Sequence, residues 1–202
     1  MSGMATVLHN GPGGRAMPRP SNHVEPQGPL EITRYYVREL IYGSNDGIIT
    51  TFAVVAGVSG GNLSANVVLI CGAANLFADG LSMAAGNYLA IRSHESVLEA
   101  QGLPEEEAAP LRHSLATLAA FILAGTLPLM PYVLPVAPDV RFLWSIGLTL
   151  FALFGIGAMR SLFTAVRWWS GGIEMLALGA VVALVAYASG AFVAMFVNAA
   201  VR

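Results

Sequence analysis

Long apolar runs, separated by short polar stretches, fill the chain from about residue 40 onwards. Residues 47–78 contain no Asp, Glu or Arg, and this run is too long for one membrane-crossing helix. The sequence SGGNLSAN near its middle has the Gly and Asn residues that are typical of a turn. The pattern therefore predicts a first helix over about 40–60 and a second helix over about 65–91.

Three more apolar runs predict a third helix over about 115–134, a fourth over about 142–159 and a fifth over about 175–197. Each approaches the ~20 residues needed to cross the hydrocarbon of a bilayer. The third run contains LPLMPYVLP, in which Pro128 and Pro131 are expected to bend or end the helix. Residues 1–29 are rich in Gly, Pro and polar side chains, so we expect a disordered cytosolic tail before a five-span membrane domain over 30–202.

The composition agrees with an all-α membrane protein, because 55% of the residues are hydrophobic and only 11% are charged. Soluble domains have about 25% charged residues. The sequence has no basic patch for nucleic acid, no motif typical of an enzyme and no motif for a resident cofactor. Cys71 is the only cysteine, which excludes an intrachain disulfide, and we expect its thiol to be buried and inert.

Arginine placement predicts the orientation, because cytosolic loops carry an excess of positive charge. With five spans, eight arginines fall on one side and two on the other, so we expect a cytosolic N-terminus and a C-terminus outside. The eight are Arg15, Arg19, Arg34, Arg38, Arg92, Arg112, Arg160 and Arg167, and the two are Arg141 and Arg202. With no organelle-targeting signal, we expect a bacterial cell (inner) membrane, or an endomembrane if the chain is eukaryotic.

Two acids lie inside predicted spans, Asp46 in the first helix and Asp79 in the second. An ionisable residue at such a place costs at least ~2.5–3.5 kcal/mol, and no arginine lies at the depth of Asp79 to pair with it. Asp46 shares a face of the first helix with Glu39, seven residues earlier. On the second helix, Asn75, Asp79 and Met83 follow at intervals of four and form a polar stripe.

The two polar lines together offer carboxylate oxygens, an amide oxygen and a thioether sulfur. That donor set favours a divalent transition metal that is softer than Mg²⁺ or Ca²⁺, such as Fe²⁺ or Mn²⁺. Carboxylates in low-dielectric surroundings also bind protons more readily, so protons compete with metal and exchange becomes possible. The resulting hypothesis has Asp46, Asp79 and Met83 as metal ligands, with Asn75 assisting.

Each of these residues also has a simpler interpretation. Met83 could fill the core, since Met in an apolar helix is more often packing than ligand. Asn75 and Asn87 could hydrogen-bond neighbouring helices. Asp46 could cap a helix that restarts at Gly47. The two histidines that flank the loop between the second and third spans, His94 and His113, are expected to be solvated.

Two blocks of the sequence resemble the vacuolar iron transporter family: YGSNDGIITTFAVVAGVSGG over 42–61 and CGAANLFADGLSMAAGNYLA over 71–90. The resemblance implies a homodimeric exchanger of divalent cations and protons, with its path at the dimer interface between first and second helices. It implies export of Fe²⁺, and often Mn²⁺, from the cytosol. It matches Asp46 and Met83 to the family's intramembrane metal-binding acid and methionine. It also matches Glu39 to an acid near the cytosolic mouth, which implies that Glu39 guides entry of the metal.

The sequence also departs from that family. Asn75 and Asn87 stand where the family usually has Glu, and Asp79 stands where a small residue is usual and could restore the missing charge. The connection from Arg92 to about Ser114 is too short for the three-helix, Glu- and Met-rich domain of many members. These departures leave two alternatives open: a membrane metal sensor or interaction component that does not transport, and a carrier for another cation or small solute.

Overall fold

The computed structural model describes residues 21, 28–161 and 167–200. Most of the predicted disordered tail, residues 1–29, therefore lies outside the described residues, as does Arg202. The chain forms α1 (Pro29–Tyr35), α2 (Val37–Gly60), α3 (Ala65–Ala100), α4 (Pro110–Gly125), α5 (Met130–Val133), α6 (Arg141–Arg160) and α7 (Trp168–Ala200). Within the described residues the only β pairing is one isolated bridge between Ser21 and Glu105, so the all-α prediction is confirmed.

The predicted breaks between helices lie where the sequence signals stand. α2 ends at Gly60, and the turn before α3 includes Asn62 at a φ of 55°, a left-handed conformation that Asn tolerates. α3 continues nine residues beyond its predicted end at 91, because the polar sequence after Ile91 remains helical as far as Ala100. Gly102, at a φ of 70°, then turns the chain away from the helix.

The third predicted span bends at its prolines, as expected. α4 ends at Gly125, a 3₁₀ turn covers Leu127–Leu129, and α5 follows. Both Pro128 and Pro131 are buried. The Ser145 hydroxyl of α6 donates a hydrogen bond of 2.7 Å to the Pro128 carbonyl, so an acceptor in the irregular segment is satisfied from a neighbouring helix.

α2 is the central helix and packs against α3, α4, α6 and α7. Glycines let its backbone approach its neighbours. A Cβ on Gly43 would lie 2.7 Å from the Thr117 carbonyl oxygen of α4, and Gly47 leaves no room for a side chain against Phe121. Gly57 of α2 and Gly190 of α7 touch in the same way, so α2 is held on two sides by backbone contacts.

Four segments of the described chain are long and apolar enough to cross a membrane: Ala65–Ala100, Pro110–Val133, Arg141–Arg160 and Trp168–Ala199. α2 has sufficient length, 24 residues, but its polar side chains, among them Asn45 and Asp46, lower its hydropathy. Large apolar side chains cover the outside, including Leu123 at 74% exposure and Phe151 at 80%. These features are those of an integral multi-pass membrane protein.

Cys71 is exposed on α3, so the prediction of a buried thiol is wrong. The reason is its helical phase. The packed side of α3 is the line of Val68, Gly72 and Leu76, and a residue next to that line points about 100° away from it.

Candidate functional site

Asp46 and Asp79 are brought together where α2 and α3 pack. The Asp79 carboxylate lies near enough to act electrostatically on Asp46. Asp46 is part-buried in the middle of the continuous helix α2, and its carbonyl accepts a 2.8 Å hydrogen bond from the Thr50 hydroxyl. It therefore does not cap a helix that restarts at Gly47, and the capping interpretation is wrong.

The polar stripe, Asn75, Asp79 and Met83, runs along the edge of the packed face of α3. Each member is part-buried and directly precedes a buried residue of the line Leu76, Gly80 and Ala84. Within the described part of the chain, the amide nitrogen of Asn75 is buried and has no hydrogen-bond partner. The stripe thus lies between the interior of the chain and its open surface.

Asp46 has the same marginal position on α2. Gly43 and Gly47, on either side of it in sequence, are buried against α4, whereas Tyr42, one turn earlier, is 61% exposed. The two carboxylates consequently lie beside a surface that this single chain does not cover.

One chain alone does not complete a site of the usual metal-binding residues. No group of three or more His, Cys, Asp or Glu side chains is arranged to hold a metal ion within 28–161 and 167–200. Asp46 and Asp79 supply two such side chains, and four to six ligands are typical of divalent ions in proteins. Further donors would have to come from Asn75, Met83, water or a second copy of the chain.

Glu39 is enclosed rather than open to solvent, with only 2% of its surface exposed. Its Oε1 accepts hydrogen bonds of 3.1 Å and 2.8 Å from the Arg38 guanidinium, which also reaches Glu107 at 3.2 Å. The Nδ1 of His113 lies 3.1 Å from the same Oε1, at ion-pair distance but off the direction of a hydrogen bond. The other oxygen, Oε2, is buried and has no hydrogen-bond partner among the described residues.

His113 is 2% exposed, so the expectation of a solvated side chain is wrong for this histidine. It lies in the first turn of α4, where its Nε2 is 3.1 Å from the Tyr35 hydroxyl. The spacing of buried residues at 113, 117 and 120–121 marks the packed face of α4, and this period is the sequence signal that places His113 inside. His94, in contrast, is 57% exposed and lies 3.2 Å from Glu106, as expected for a surface residue.

Asn87 makes the interhelical contact that one of the simpler interpretations predicts. Its amide donates a 3.0 Å hydrogen bond to the Thr117 hydroxyl of α4. Thr117 in turn donates to the His113 carbonyl at 3.0 Å. One face of α4 therefore contacts the polar residues of both α2 and α3.

The loop over 101–109 folds back onto the end of α3. The Glu95 carboxylate accepts the backbone N–H groups of Glu106 and Glu107 at 3.0 Å and 2.8 Å. A polar cavity of about 340 Å³ lies beneath the loop, lined by Arg38, Asn87, Ala90, Ile91, His94, Glu106 and Glu107.

The model of the VIT family matches residues 37–107 and 96–191, which is most of the chain. The chain belongs to the VIT family. It is 30% identical to "Vacuolar iron transporter 1" of Arabidopsis thaliana, in a match that covers 75% of this chain and 83% of the relative. It is 24% identical to "Vacuolar iron transporter 1" of Oryza sativa over 75% of this chain and 82% of that relative. A "Vacuolar iron transporter" of Toxoplasma gondii is 42% identical over 71 residues, 35% of this chain and 24% of the relative.

The match to the VIT family is interrupted at the short loop. Its two pieces meet over 96–107, next to the end of α3. The match to the Arabidopsis relative spans 209 positions, more than the 75% of this 202-residue chain that it covers. The relative thus carries residues that this chain lacks. These three relatives are named as transporters, which agrees with the absence of enzyme motifs.

Proposed function

We propose that this protein transports Fe²⁺ and/or Mn²⁺ out of the cytosol in exchange for protons. The observation that carries the proposal is the part-buried position of Asp46 on α2 and of Asp79 on the adjoining helix α3, in a helical bundle of the VIT family. Two acids at such a place are costly unless they bind something, and a divalent cation neutralises both at once. The soft sulfur of Met83, on the same stripe as Asp79, favours Fe²⁺ or Mn²⁺ over Mg²⁺ and Ca²⁺.

Release of the metal leaves two like charges side by side. Protons bound by Asp46 and Asp79 would relieve this repulsion, so proton uptake is the natural counterpart of metal release. Exchange of this kind would serve metal homeostasis and detoxification. The membrane in which it acts is a bacterial cell (inner) membrane, or an endomembrane in a eukaryote.

The exposure of the same residues supports a homodimer as part of this proposal. Asp46 and the polar stripe border a surface that one chain leaves open, and charged groups at that surface would face lipid in a monomer. A second copy that covers this surface places two Asp46–Asp79 pairs beside one path. In this arrangement α2 is the first of five spans, enclosed by both copies, and the N-terminus is cytosolic.

The test is metal uptake into proteoliposomes that have an acidic lumen. Wild-type protein should accumulate Fe²⁺ or Mn²⁺, and a protonophore that removes the pH gradient should slow the accumulation. Asp46→Asn should abolish uptake, whereas Asp139→Asn, an exposed acid in the loop before α6, should leave it unchanged. Uptake that persists in Asp46→Asn would contradict the proposal.

A second candidate function is a membrane metal sensor or interaction component that does not transport. The observation in its favour is the hydrogen bond from Asn87, at a position where the family usually has Glu, to Thr117. The Asn87 side chain thus has a structural role in helix packing. This candidate predicts that purified protein binds Mn²⁺ but that proteoliposomes accumulate none.

A further inference from the structure

We propose that His113 is a positioning residue of the ion entrance on the cytosolic side. With Arg38 it packs against one oxygen of the Glu39 carboxylate, and the other oxygen, which is buried and has no partner among the described residues, takes the arriving divalent cation. This inference rests on the proposed function, because it assigns Glu39 a contact with the transported ion.

The contacts of Glu39 are divided unequally between its two oxygens. Oε1 meets both nitrogens that Arg38 presents and lies 3.1 Å from His113 Nδ1. Oε2 is buried and has no partner among the described residues. A buried carboxylate oxygen without a partner is unfavourable, so the geometry points to an additional ligand at Oε2.

The two neighbours of Oε1 differ in how firmly they are held. The side chain of Arg38 is 62% exposed and is shared with Glu107, so it can move away as a cation arrives. His113 is 2% exposed and fixed by its surroundings: the Tyr35 hydroxyl lies 3.1 Å from Nε2, and the rings of Tyr35 and Tyr36 each lie 4.9 Å from the imidazole.

This difference assigns separate roles to the two residues. An arriving cation repels Arg38, whose guanidinium retains Glu107 as a second partner. His113 cannot follow, because it is enclosed, and it keeps the Glu39 carboxylate in place. Without His113 the carboxylate would be free to turn with Arg38, and Oε2 would no longer be presented to the ion.

The test compares substitutions of His113 by the initial rate of Mn²⁺ uptake at a series of Mn²⁺ concentrations. His113→Ala should raise KM about tenfold and change the maximal rate less than about twofold, the size expected for the loss of one contact to a charged group. His113→Asn keeps an amide nitrogen near the position of Nδ1 and should recover most of the lost affinity. His94→Asn is the matched control, because this exposed histidine contacts Glu106 instead, and its KM should stay unchanged.

A purely structural role for His113 predicts a different result. His113→Ala would then lower the maximal rate together with the melting temperature, and His113→Asn would not recover KM. That outcome, or an unchanged KM in His113→Ala, would overturn the inference. A combined Glu39→Gln and His113→Ala variant should show no further rise in KM over Glu39→Gln alone, because His113 acts through Glu39.

A second measurement separates the role of His113 from the transport function. It is Mn²⁺ binding to the purified full chain, monitored by electron paramagnetic resonance. If the wild type binds Mn²⁺ without transporting it, His113→Ala should still weaken binding about tenfold. If the wild type transports and His113→Ala has the wild-type KM, only the inference is wrong. If the wild type neither transports nor binds Mn²⁺, both are wrong.

Discussion

Asn87 of α3 donates a hydrogen bond of 3.0 Å to the Thr117 hydroxyl of α4. Two turns of α3 separate Asn87 from Asp79, so this contact fixes the rotation of the helix that carries the polar stripe. Because Thr117 also bonds the His113 carbonyl, α4 sets the position of polar groups on two different helices.

Removing this hydrogen bond should destabilise the fold without removing any proposed ligand. Thr117→Val keeps the volume of the side chain but leaves the Asn87 amide without its partner, so we expect a loss of about 0.5–1.5 kcal/mol. Thermal unfolding in detergent measures this loss. Thr126→Val is the control, since within the described residues the hydroxyl of Thr126, at the end of α4, bonds to the Ile122 carbonyl of that same helix and to no other helix. An equal effect of both substitutions would contradict the interhelical role of Thr117.

Asp79 should take over the charge that the family usually places at position 75. Asp79→Ala should reduce Mn²⁺ uptake at least about tenfold, because one of two carboxylates at the site is lost. Adding Asn75→Glu to that variant should restore much of the uptake, since position 75 lies one turn away on the same stripe. Adding Asn87→Glu instead should not, because Asn87 is engaged with Thr117. Equal rescue at both positions would show that only net charge matters.

The close approach of α2 and α7 makes Gly190 intolerant of any side chain. A Cβ at this position would overlap the Gly57 carbonyl, so Gly190→Ala should cost about 1–3 kcal/mol of stability. Gly147→Ala is the control, because no atom of the described residues lies within 4 Å of its added Cβ, and Ala favours a helix by about 1 kcal/mol. Melting temperatures of the two variants should therefore move in opposite directions. A neutral effect of Gly190→Ala would mean that the two helices can separate freely.

Alkaline pH should loosen the contact of α1 with α4. Burial raises the pKa of the Tyr35 phenol above its ordinary value of 10.0, and the neighbouring Tyr36, Glu107 and Glu39 raise it further. The folded protein therefore holds the phenol proton more tightly than the unfolded chain. The contribution of this phenol to stability is fully present below about pH 10. It is lost as the pH rises through the raised pKa. Unfolding followed from pH 8 to pH 11 should show this loss in the wild type and less of it in Tyr35→Phe. Tyr42→Phe, on an exposed side chain, serves as the control.

Local signals in the sequence predicted most of the helices and their breaks. The Gly and Asn residues before Ala65, Gly102 after α3, and Pro128 and Pro131 act through backbone conformation, which a residue carries wherever it is placed. The polar stripe followed from helical spacing alone, and its three members lie along the edge of the packed face of α3. Each of these predictions depends only on residues that are close together in the sequence.

The burial of side chains at helix ends could not be predicted in the same way. Glu39 and His113 are 74 residues apart in sequence, and each is buried by the other's helix. From the sequence alone, a histidine in the first turn of a helix that follows a polar loop is expected to be solvated. The burial of His113 depends on α2, which packs against this part of α4. Cys71 is the converse case, because an apolar neighbourhood in sequence does not reveal which side of α3 is packed.

The loop over 101–109 has a consequence for how this family can diverge. Glu95 of α3 accepts hydrogen bonds from the backbone N–H groups of Glu106 and Glu107, so the short loop is tied to the end of α3. The relative that carries additional residues, and the interruption of the family match at this place, fit a junction where a whole module can be gained or lost. The spanning helices would keep their register either way. This junction is accordingly the natural graft point for an additional segment from a longer relative.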